Sequence, residues 1–315
     1  MHILILGKNG QVGFELQKTL APLGRVTAWD RTHLDLDASD TIVPRILALN
    51  PDLIVNAAAY TAVDAAETDN ETAHRVNAVA PGLLAQAALQ CRAGLIHYST
   101  DYVFDGAQSR PYTEDDAPNP LNVYGETKLE GEREIARTEA PYWIFRVSGI
   151  YGNRSKNFLL TMQRLAGERN TIRVVSDQTG APSWCASIAQ ATADVIQSAS
   201  TQQASLQEAM QDTRGIYHMT CAGETSWYGF AEAIFQLSDG VGPELQAIPT
   251  SEYPTPAQRP PYWVLNNRKL ETTFQVFMPR WRDALQRCLE AQSNDANAPQ
   301  AIPSPSTTSG ESHLE

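Results

Sequence analysis

Tyr124 and Lys128 stand four residues apart in Tyr124-Gly125-Glu126-Thr127-Lys128. On a helix that spacing puts both side chains on one face, one turn from each other. A free phenol ionises near about pH 10, and a neighbouring ammonium favours the phenolate. Such a pair can exchange a proton with a carbonyl or alcohol oxygen. The amine can also hold ribose hydroxyls. Thr100 closes the apolar run Gly94-Leu95-Ile96-His97-Tyr98-Ser99-Thr100 and offers a hydroxyl to the same oxygen. Tyr-x-x-x-Lys by itself is common on ordinary helix faces. Its meaning here comes from what precedes it.

What precedes it is Ile3-Leu4-Ile5-Leu6-Gly7-Lys8-Asn9-Gly10-Gln11-Val12-Gly13. A short branched apolar run ends at Gly7, and Gly10 and Gly13 follow at three-residue intervals. Phe14, Leu16, Leu20 and Leu23 then recur near helical spacing. Strand, glycine turn and helix form the entry of a dinucleotide site. The glycines let backbone approach a pyrophosphate, and the helix N-terminus offers free N–H groups. Val26-Thr27-Ala28-Trp29-Asp30 reads as a second strand ending in an acid. Asp30 lies about 20 residues past the central glycine, where an acid can take ribose hydroxyls.

The elements that must position these residues alternate along the chain. A helix is expected from about Ser39 to Leu49, and a third strand at Leu53 to Asn56 running into Ala57-Ala58-Ala59. A helix over 73–89 and a fourth strand at Gly94–Thr100 follow. This alternation predicts an α/β protein with a doubly wound parallel sheet of Rossmann type, whose ligands lie beyond the strand C-termini. Beyond Gly149 the pattern loosens. Helices are expected at 159–165, 188–196 and 226–235, and strands at 172–175 and 215–219. We expect a dinucleotide-binding domain over 1–148, with part of 170–210 packed back on it. A smaller, discontinuous substrate-binding lobe is expected over 149–293, with 197–211 as a helix end and surface insertion. A disordered tail is expected over 294–315. His218 reads as an ordinary strand residue.

The chain has 315 residues, with 42% hydrophobic and 19% charged residues, as in a soluble enzyme. A net charge of −12 argues against nucleic acid as a partner. No apolar run reaches the length of a membrane span, and no basic-then-apolar leader is seen. A cytoplasmic location is expected. Cys91, Cys185, Cys221 and Cys288 are scattered without metal-ligand spacing, so no metal site is read from the residues.

The glycine turn, Ser99-Thr100-Asp101-Tyr102-Val103-Phe104-Asp105-Gly106 and Tyr124-Gly125-Glu126-Thr127-Lys128 resemble the extended short-chain dehydrogenase/reductases. More narrowly they resemble the dTDP-4-dehydrorhamnose reductases, from Met1 to about Leu289. The similarity extends through Asn56-Ala57-Ala58-Ala59-Tyr60, Asn157-Phe158, Asp177-Gln178-Thr179-Gly180-Ala181-Pro182 and Gln258-Arg259-Pro260. The resemblance implies NADPH- or NADH-dependent reduction of the 4-keto group of dTDP-4-dehydro-L-rhamnose, the last step of dTDP-rhamnose biosynthesis. It implies that Tyr124 donates the proton, Lys128 tunes it and holds the ribose, and Thr100 orients the keto oxygen. Cofactor contacts are expected from Gly7, Gly10, Gln11, Val12, Gly13, Asp30, Arg31, Asp35, Leu36, Ala58, Ala59, Tyr60, Tyr98, Tyr124 and Lys128. Substrate contacts are expected from Thr100, Asp101, Phe104, Tyr124, Asn157, Gln178 and Arg259. Arg173 and Lys156 are further candidates for a diphosphate.

The chain departs from that family at two places. Gly149 stands where the family carries a tryptophan that packs on the sugar, and Trp263 is expected to fill the vacated volume. The family's magnesium-bridged dimer is not expected, because only Glu15 of its glutamates has a counterpart, and a monomer or weak homodimer is expected instead. Two other readings compete. One is an epimerase or reductase acting on another nucleotide sugar, and the other is a non-catalytic nucleotide-binding regulatory subunit. Asp30 favours NADH and Arg31 can accommodate the extra phosphate of NADPH, so use of both is expected.

Overall fold

Strand β1 (His2–Leu6) is apolar and buried from Ile3 to Leu6. That pattern suits a strand covered on both faces, as in a parallel sheet between helices. The computed structural model describes residues 1–238 and 242–297. In it β1 lies inside a six-stranded sheet with β2 (Arg25–Trp29), β3 (Leu53–Asn56), β4 (Gly94–Thr100), β5 (Tyr142–Val147) and β6 (Gly215–His218). The order is β6-β5-β4-β3-β1-β2, and every neighbouring pair is parallel. The chain runs from β1 to β2 on one side and returns to β3 on the other. The crevice of a doubly wound sheet forms at that reversal, outside the strand C-termini.

Alternate side chains of each strand serve opposite layers. Ile3, Ile5, Val55 and Ile96 pack with Leu16 and Leu20 of α1 (Gln11–Leu20) and with Ile188 and Val195 of a later helix. Leu4, Ile54, Leu95 and Ile144 face Ile42 and Ile46 of α2 (Ser39–Leu49) and Leu84 and Ala88 of α3 (Ala80–Cys91). The helix α4 (Val123–Ala136) joins this second layer through Ile135. A separate core is built by α5 (Phe158–Ala166), α7 (Trp227–Leu237) and α8 (Trp281–Asn297), with α6 (Cys185–Gln202) lying between them in sequence. Leu159, Phe230, Ile234 and Leu285 meet there over a short parallel pair, Thr171–Val175 with Glu244–Ile248.

Several expectations differ in detail. The helix expected over 73–89 is broken into Asn70–His74, one π turn at Arg75–Val79, and α3. The segment expected as a surface insertion contains a second helix, Leu206–Asp212, whose Leu206, Ala209 and Met210 are buried. Met210 closes the base of the sheet, since a Cβ on Gly94 would lie 2.2 Å from its sulfur. The tail expected from residue 294 begins as the last turn of α8, because the helix runs to Asn297. Residues 298–315 lie outside those described. His218 is buried, with Nδ1 at 3.1 Å from the Tyr112 carbonyl. Among the described residues no helix is long and apolar enough to cross a membrane.

Candidate active site

The glycine turn folds tightly against the end of β3. Gly7 sits at φ +84°, and a Cβ there would meet Ala58 N at 2.8 Å. A Cβ on Gly13 would lie 2.1 Å from the Gly7 carbonyl oxygen. Neither position admits a side chain. Gly10 begins α1 without a side-chain cap, so the first N–H groups of the helix keep their capacity to bind an anion. Gln11 and Val12 open the helix. Asp30 follows β2 and is held by Thr32 Oγ1 at 2.6 Å, His33 Nδ1 at 2.7 Å, Asn9 Nδ2 at 3.1 Å and Lys8 Nζ at 3.2 Å. The Thr32 and His33 hydrogen bonds, and then Lys8 and Asn9, hold its carboxyl far below the usual carboxylate range.

A cavity of about 450 Å³ opens beside this turn, lined by Gly7, Asp30, Arg31, Asp35, Ala59 and Tyr60 among others. Leu36 and Ala58 also reach it. Arg31 is turned to Asp35, with Nε at 3.0 Å from the carboxylate. Tyr60 is held through its backbone, whose N–H donates to Asn77 Oδ1 at 2.9 Å and whose carbonyl accepts from Asn77 Nδ2 at 3.0 Å. Asn77 lies in the π turn, where the added backbone residue aims its amide back at the β3 loop.

The polar cluster sits where β4 meets α4. Asn122 caps α4 by accepting from the Gly125 N–H at 2.9 Å. Gly125 lets the helix press on the preceding turn, since a Cβ there would lie 2.2 Å from the Tyr102 carbonyl oxygen. Tyr124 is thereby brought edge-on to Tyr102, with ring centroids 5.4 Å apart, and the Thr100 hydroxyl acts on its phenol. Thr100 Oγ1 also lies 3.2 Å from Asp101 Oδ1 and accepts from the Tyr102 N–H. Burial pushes the Tyr124 phenol up to about 12; the Thr100 hydrogen bond opposes this and the Asp101 charge adds to it. Burial likewise raises the Asp101 carboxyl to about 7.

Lys128 is buried. Its Nζ lies 2.6 Å from the Tyr98 carbonyl and 3.1 Å from His97 Nε2. Burial lowers the amine to about 8, with Glu132 opposing. Burial outweighs the other influences on the phenol, which is shifted upward. His97 and Asn56, both buried, complete this group, and neither was expected at the site. A lone histidine in an apolar strand looks like core, and only its position three residues before Thr100 hinted otherwise.

A larger cavity of about 960 Å³ reaches Tyr102 and is lined by Asp64, Gln178, Arg164, Arg169, Arg173 and Arg259 among others. It continues into a smaller one of about 160 Å³ between Asp101, Gly149, Trp227 and Trp263. Gln178 joins Thr250 and the Trp227 indole N–H. Arg259 is paired with Asp64 at 3.0 Å, and Arg173 is paired with Glu252. Lys156 is exposed. The Trp263 ring lies over Gly149, where a Cβ would approach it to 2.9 Å.

Three residues expected at ligands are placed elsewhere. Phe104 stacks on Tyr112 in a buried cluster, with centroids 4.2 Å apart. The Tyr98 ring lies in the core with its hydroxyl 2.6 Å from Thr192 Oγ1, so only its carbonyl faces Lys128. Asn157 caps α5 and spends its amide on Gln11 Oε1 and the Gly152 carbonyl, 3.1 and 2.8 Å away. Glu15 pairs with Lys18. Among the described residues no group of three or more His, Cys, Asp or Glu side chains is arranged to hold a metal.

A doubly wound sheet with a glycine cradle, an acid after β2 and a Thr–Tyr–Lys rim defines a dinucleotide-dependent oxidoreductase of the extended short-chain dehydrogenase/reductase class. Comparison with known proteins narrows this. Residues 1–294 match the family model described as RmlD substrate binding domain. The chain is 46% identical to a dTDP-4-dehydrorhamnose reductase of Burkholderia thailandensis, over 92% of this chain and 98% of that one. It is 42% identical to that of Escherichia coli K12, over 92% and 97%. The solved dTDP-4-dehydrorhamnose reductase of Clostridium acetobutylicum superposes with a TM-score of 0.85 at 37% identity, covering 93% of this chain and 100% of that one. The Bacillus anthracis enzyme in complex with NADP superposes at 0.84 and 31% identity, covering 92% and 99%. The chain belongs to the dTDP-4-dehydrorhamnose reductase family.

Proposed function

We propose that this chain reduces the 4-keto group of dTDP-4-dehydro-L-rhamnose to give dTDP-L-rhamnose, using NADPH or NADH. The observation that carries the reading is the buried Thr100 at the end of β4, whose neighbours Asp101 and Tyr102 line the cavities at Arg259 and Trp263 and whose sheet carries the glycine turn at the end of β1. A dinucleotide on one side and a nucleotide sugar on the other would meet there. The closed glycine turn and uncapped start of α1 suit a pyrophosphate, and Asp30 suits ribose hydroxyls. The bound reduced cofactor supplies the hydride. Tyr124, whose high pKa keeps its proton at neutral pH, acts as the general acid on the developing C4 alkoxide. Thr100 orients the keto oxygen, and Lys128 holds ribose hydroxyls.

Asp101, Gln178 and Trp263 form the sugar wall, and the arginines of the larger cavity face the diphosphate. Phe104 and Asn157 act from behind these walls, one as packing and the other as a cap. The dinucleotide-binding unit comprises residues 1–148 with part of 170–210, including α6, and with β6 at the edge of its sheet, and most of the rest of 149–293 makes the discontinuous substrate lobe. The protein works as a monomer or weak homodimer in the cytoplasm.

The test is a coupled assay with dTDP-4-dehydro-L-rhamnose and either reduced cofactor. Cofactor should be consumed mole for mole with sugar, and Tyr124→Phe should lose about 10²–10⁴-fold in kcat. An epimerised sugar with no net cofactor consumption would reject the reading, as would binding without turnover.

A further inference from the structure

Three buried side chains behind the rim form a hydrogen-bond chain whose direction is set at one end. The Ala58 N–H donates to Asn56 Oδ1 at 3.1 Å. That contact fixes the amide, because the flipped amide would set two N–H donors against each other. Asn56 Nδ2 therefore points at His97 Nδ1, 3.0 Å away. An amide nitrogen only donates, so Nδ1 accepts, and a neutral imidazole then carries its proton on Nε2. That N–H is aimed at Lys128 Nζ, 3.1 Å distant.

An ammonium has three donors and no acceptor. Facing Nε2–H, it would leave two donors in opposition among residues that are 1% exposed or less. Moving the imidazole proton to Nδ1 only transfers the conflict to Asn56, at a cost of an unsatisfied buried donor. A neutral amine resolves the chain, because its lone pair accepts from His97 and one of its two hydrogens serves the Tyr98 carbonyl at 2.6 Å.

We infer that, without bound cofactor, Lys128 is an uncharged amine whose lone pair accepts a hydrogen bond from His97 Nε2–H, and that Asn56 is the positioning residue that keeps the proton on that nitrogen. Of the surrounding charges Glu132 favours the ammonium, but Arg146 offsets it. On α4, Tyr124 lies one turn before Lys128 and Glu132 one turn after. The Glu132 carboxylate is engaged by Arg146 of β5 through two hydrogen bonds of 2.9 and 2.6 Å. From β4 come only His97 and the Tyr98 carbonyl, and Asp101 beyond it faces the phenol. Burial brings the amine to about 8, and the Nε2–H aimed at its lone pair carries it the rest of the way; burial depresses the imidazole as well. With no ammonium beside it the phenol stays protonated, which is the state that a reducing enzyme starts from. That last consequence rests on the reductase reading, whereas the protonation pattern does not.

The test uses the full chain labelled with 15N in its histidine rings, without cofactor, at neutral pH. Long-range proton–nitrogen correlation should show His97 protonated at Nε2 and bare at Nδ1, assigned by loss of its signals in His97→Gln. A proton on Nδ1, or on both nitrogens, overturns the proposal. In Asn56→Asp the carboxylate still accepts from Ala58 and now accepts at His97 as well. The ring proton should move to Nδ1 and Lys128 should become charged. The alkaline limb of kcat/KM should then shift at least tenfold in proton concentration toward lower pH. An unmoved ring proton in that variant also overturns the proposal, and an inactive protein leaves the nitrogen spectra as the deciding measurement.

Discussion

Arg146 on β5 and Glu132 on α4 face each other through two parallel hydrogen bonds of 2.9 and 2.6 Å, with both side chains at most 2% exposed. The pair clamps α4 to the sheet one turn beyond Lys128. Replacing Glu132 by Gln leaves the guanidinium buried without its counter-charge. The chain should lose roughly 3–5 kcal/mol of stability, read as a lower urea midpoint at unchanged slope. A loss within the spread of ordinary surface substitutions would show that water reaches Arg146.

Asp101 gives a pH signature. Its carboxyl is raised from 3.8 to about 7 by burial, with its own backbone and Thr100 opposing. Below pH 3.8 it is neutral in both folded and unfolded chains. As pH rises from there to about 7 the unfolded chain releases the proton while the folded one retains it, so stability falls across that window and then levels. Asp101→Asn should remove this decline and be more stable than wild type above pH 7, by on the order of a few kcal/mol. Parallel stability curves for the two proteins between pH 4 and 7 would exclude the shift. His218 acts oppositely. Burial lowers it to about 3, so its contribution is present above its unfolded pKa and lost as pH falls toward 3 in both proteins.

Asp30 sits among Lys8, Asn9, Thr32 and His33, and Arg31 stands beside it. Asp30→Ala should weaken NADH binding by about 10-fold or more, the cost of charged hydrogen bonds to a ribose. NADPH, whose added phosphate gains the freed Lys8, should be spared. Fluorescence titration of each cofactor measures this. Equal losses for both would place the ribose elsewhere. In wild type both cofactors should serve, and a thousandfold preference for either would contradict that expectation.

Trp263 is 4% exposed and packs against Trp227 with ring centroids 5.1 Å apart. Gly180 accommodates it, since a Cβ there would lie 1.8 Å from the indole. Trp263→Ala should raise KM for the nucleotide sugar by on the order of tenfold and leave cofactor affinity unchanged. It should also cost about 3–5 kcal/mol of stability as a core truncation. An unchanged KM would remove Trp263 from the sugar wall.

The sheet was legible because its strands are short apolar runs closed by glycines or polar residues, and five of its six were placed within a residue or two. Thr100, Tyr124 and Lys128 were legible because their spacing fits one strand end and one helix face. Side-chain direction was harder. Tyr98 and His97 are adjacent, so they point to opposite layers, and only knowing which layer holds α4 shows that His97 meets Lys128. Phe104 follows a functional strand end, but an aromatic ring there is as easily buried as exposed. Asn157 precedes an apolar helix, a capping signal that competed with its resemblance to a ligand residue. Lys8 lies inside the glycine turn, and its meeting with Asp30 depends on β1 and β2 being neighbours. Helix 73–89 was read as continuous because a π turn barely disturbs hydrophobic spacing.

That π turn at Arg75–Val79 separates two things that would otherwise change together. A π turn absorbs one extra residue in a single wide turn, so removing that residue would restore a plain helix while the flanking segments kept their places. Leu84 and Ala88 would stay on the sheet, but the turn that carries Asn77 would close and release the Tyr60 loop. A single deletion would thus strike the cofactor rim and spare the hydrophobic register, leaving a folded chain with a loosened dinucleotide site.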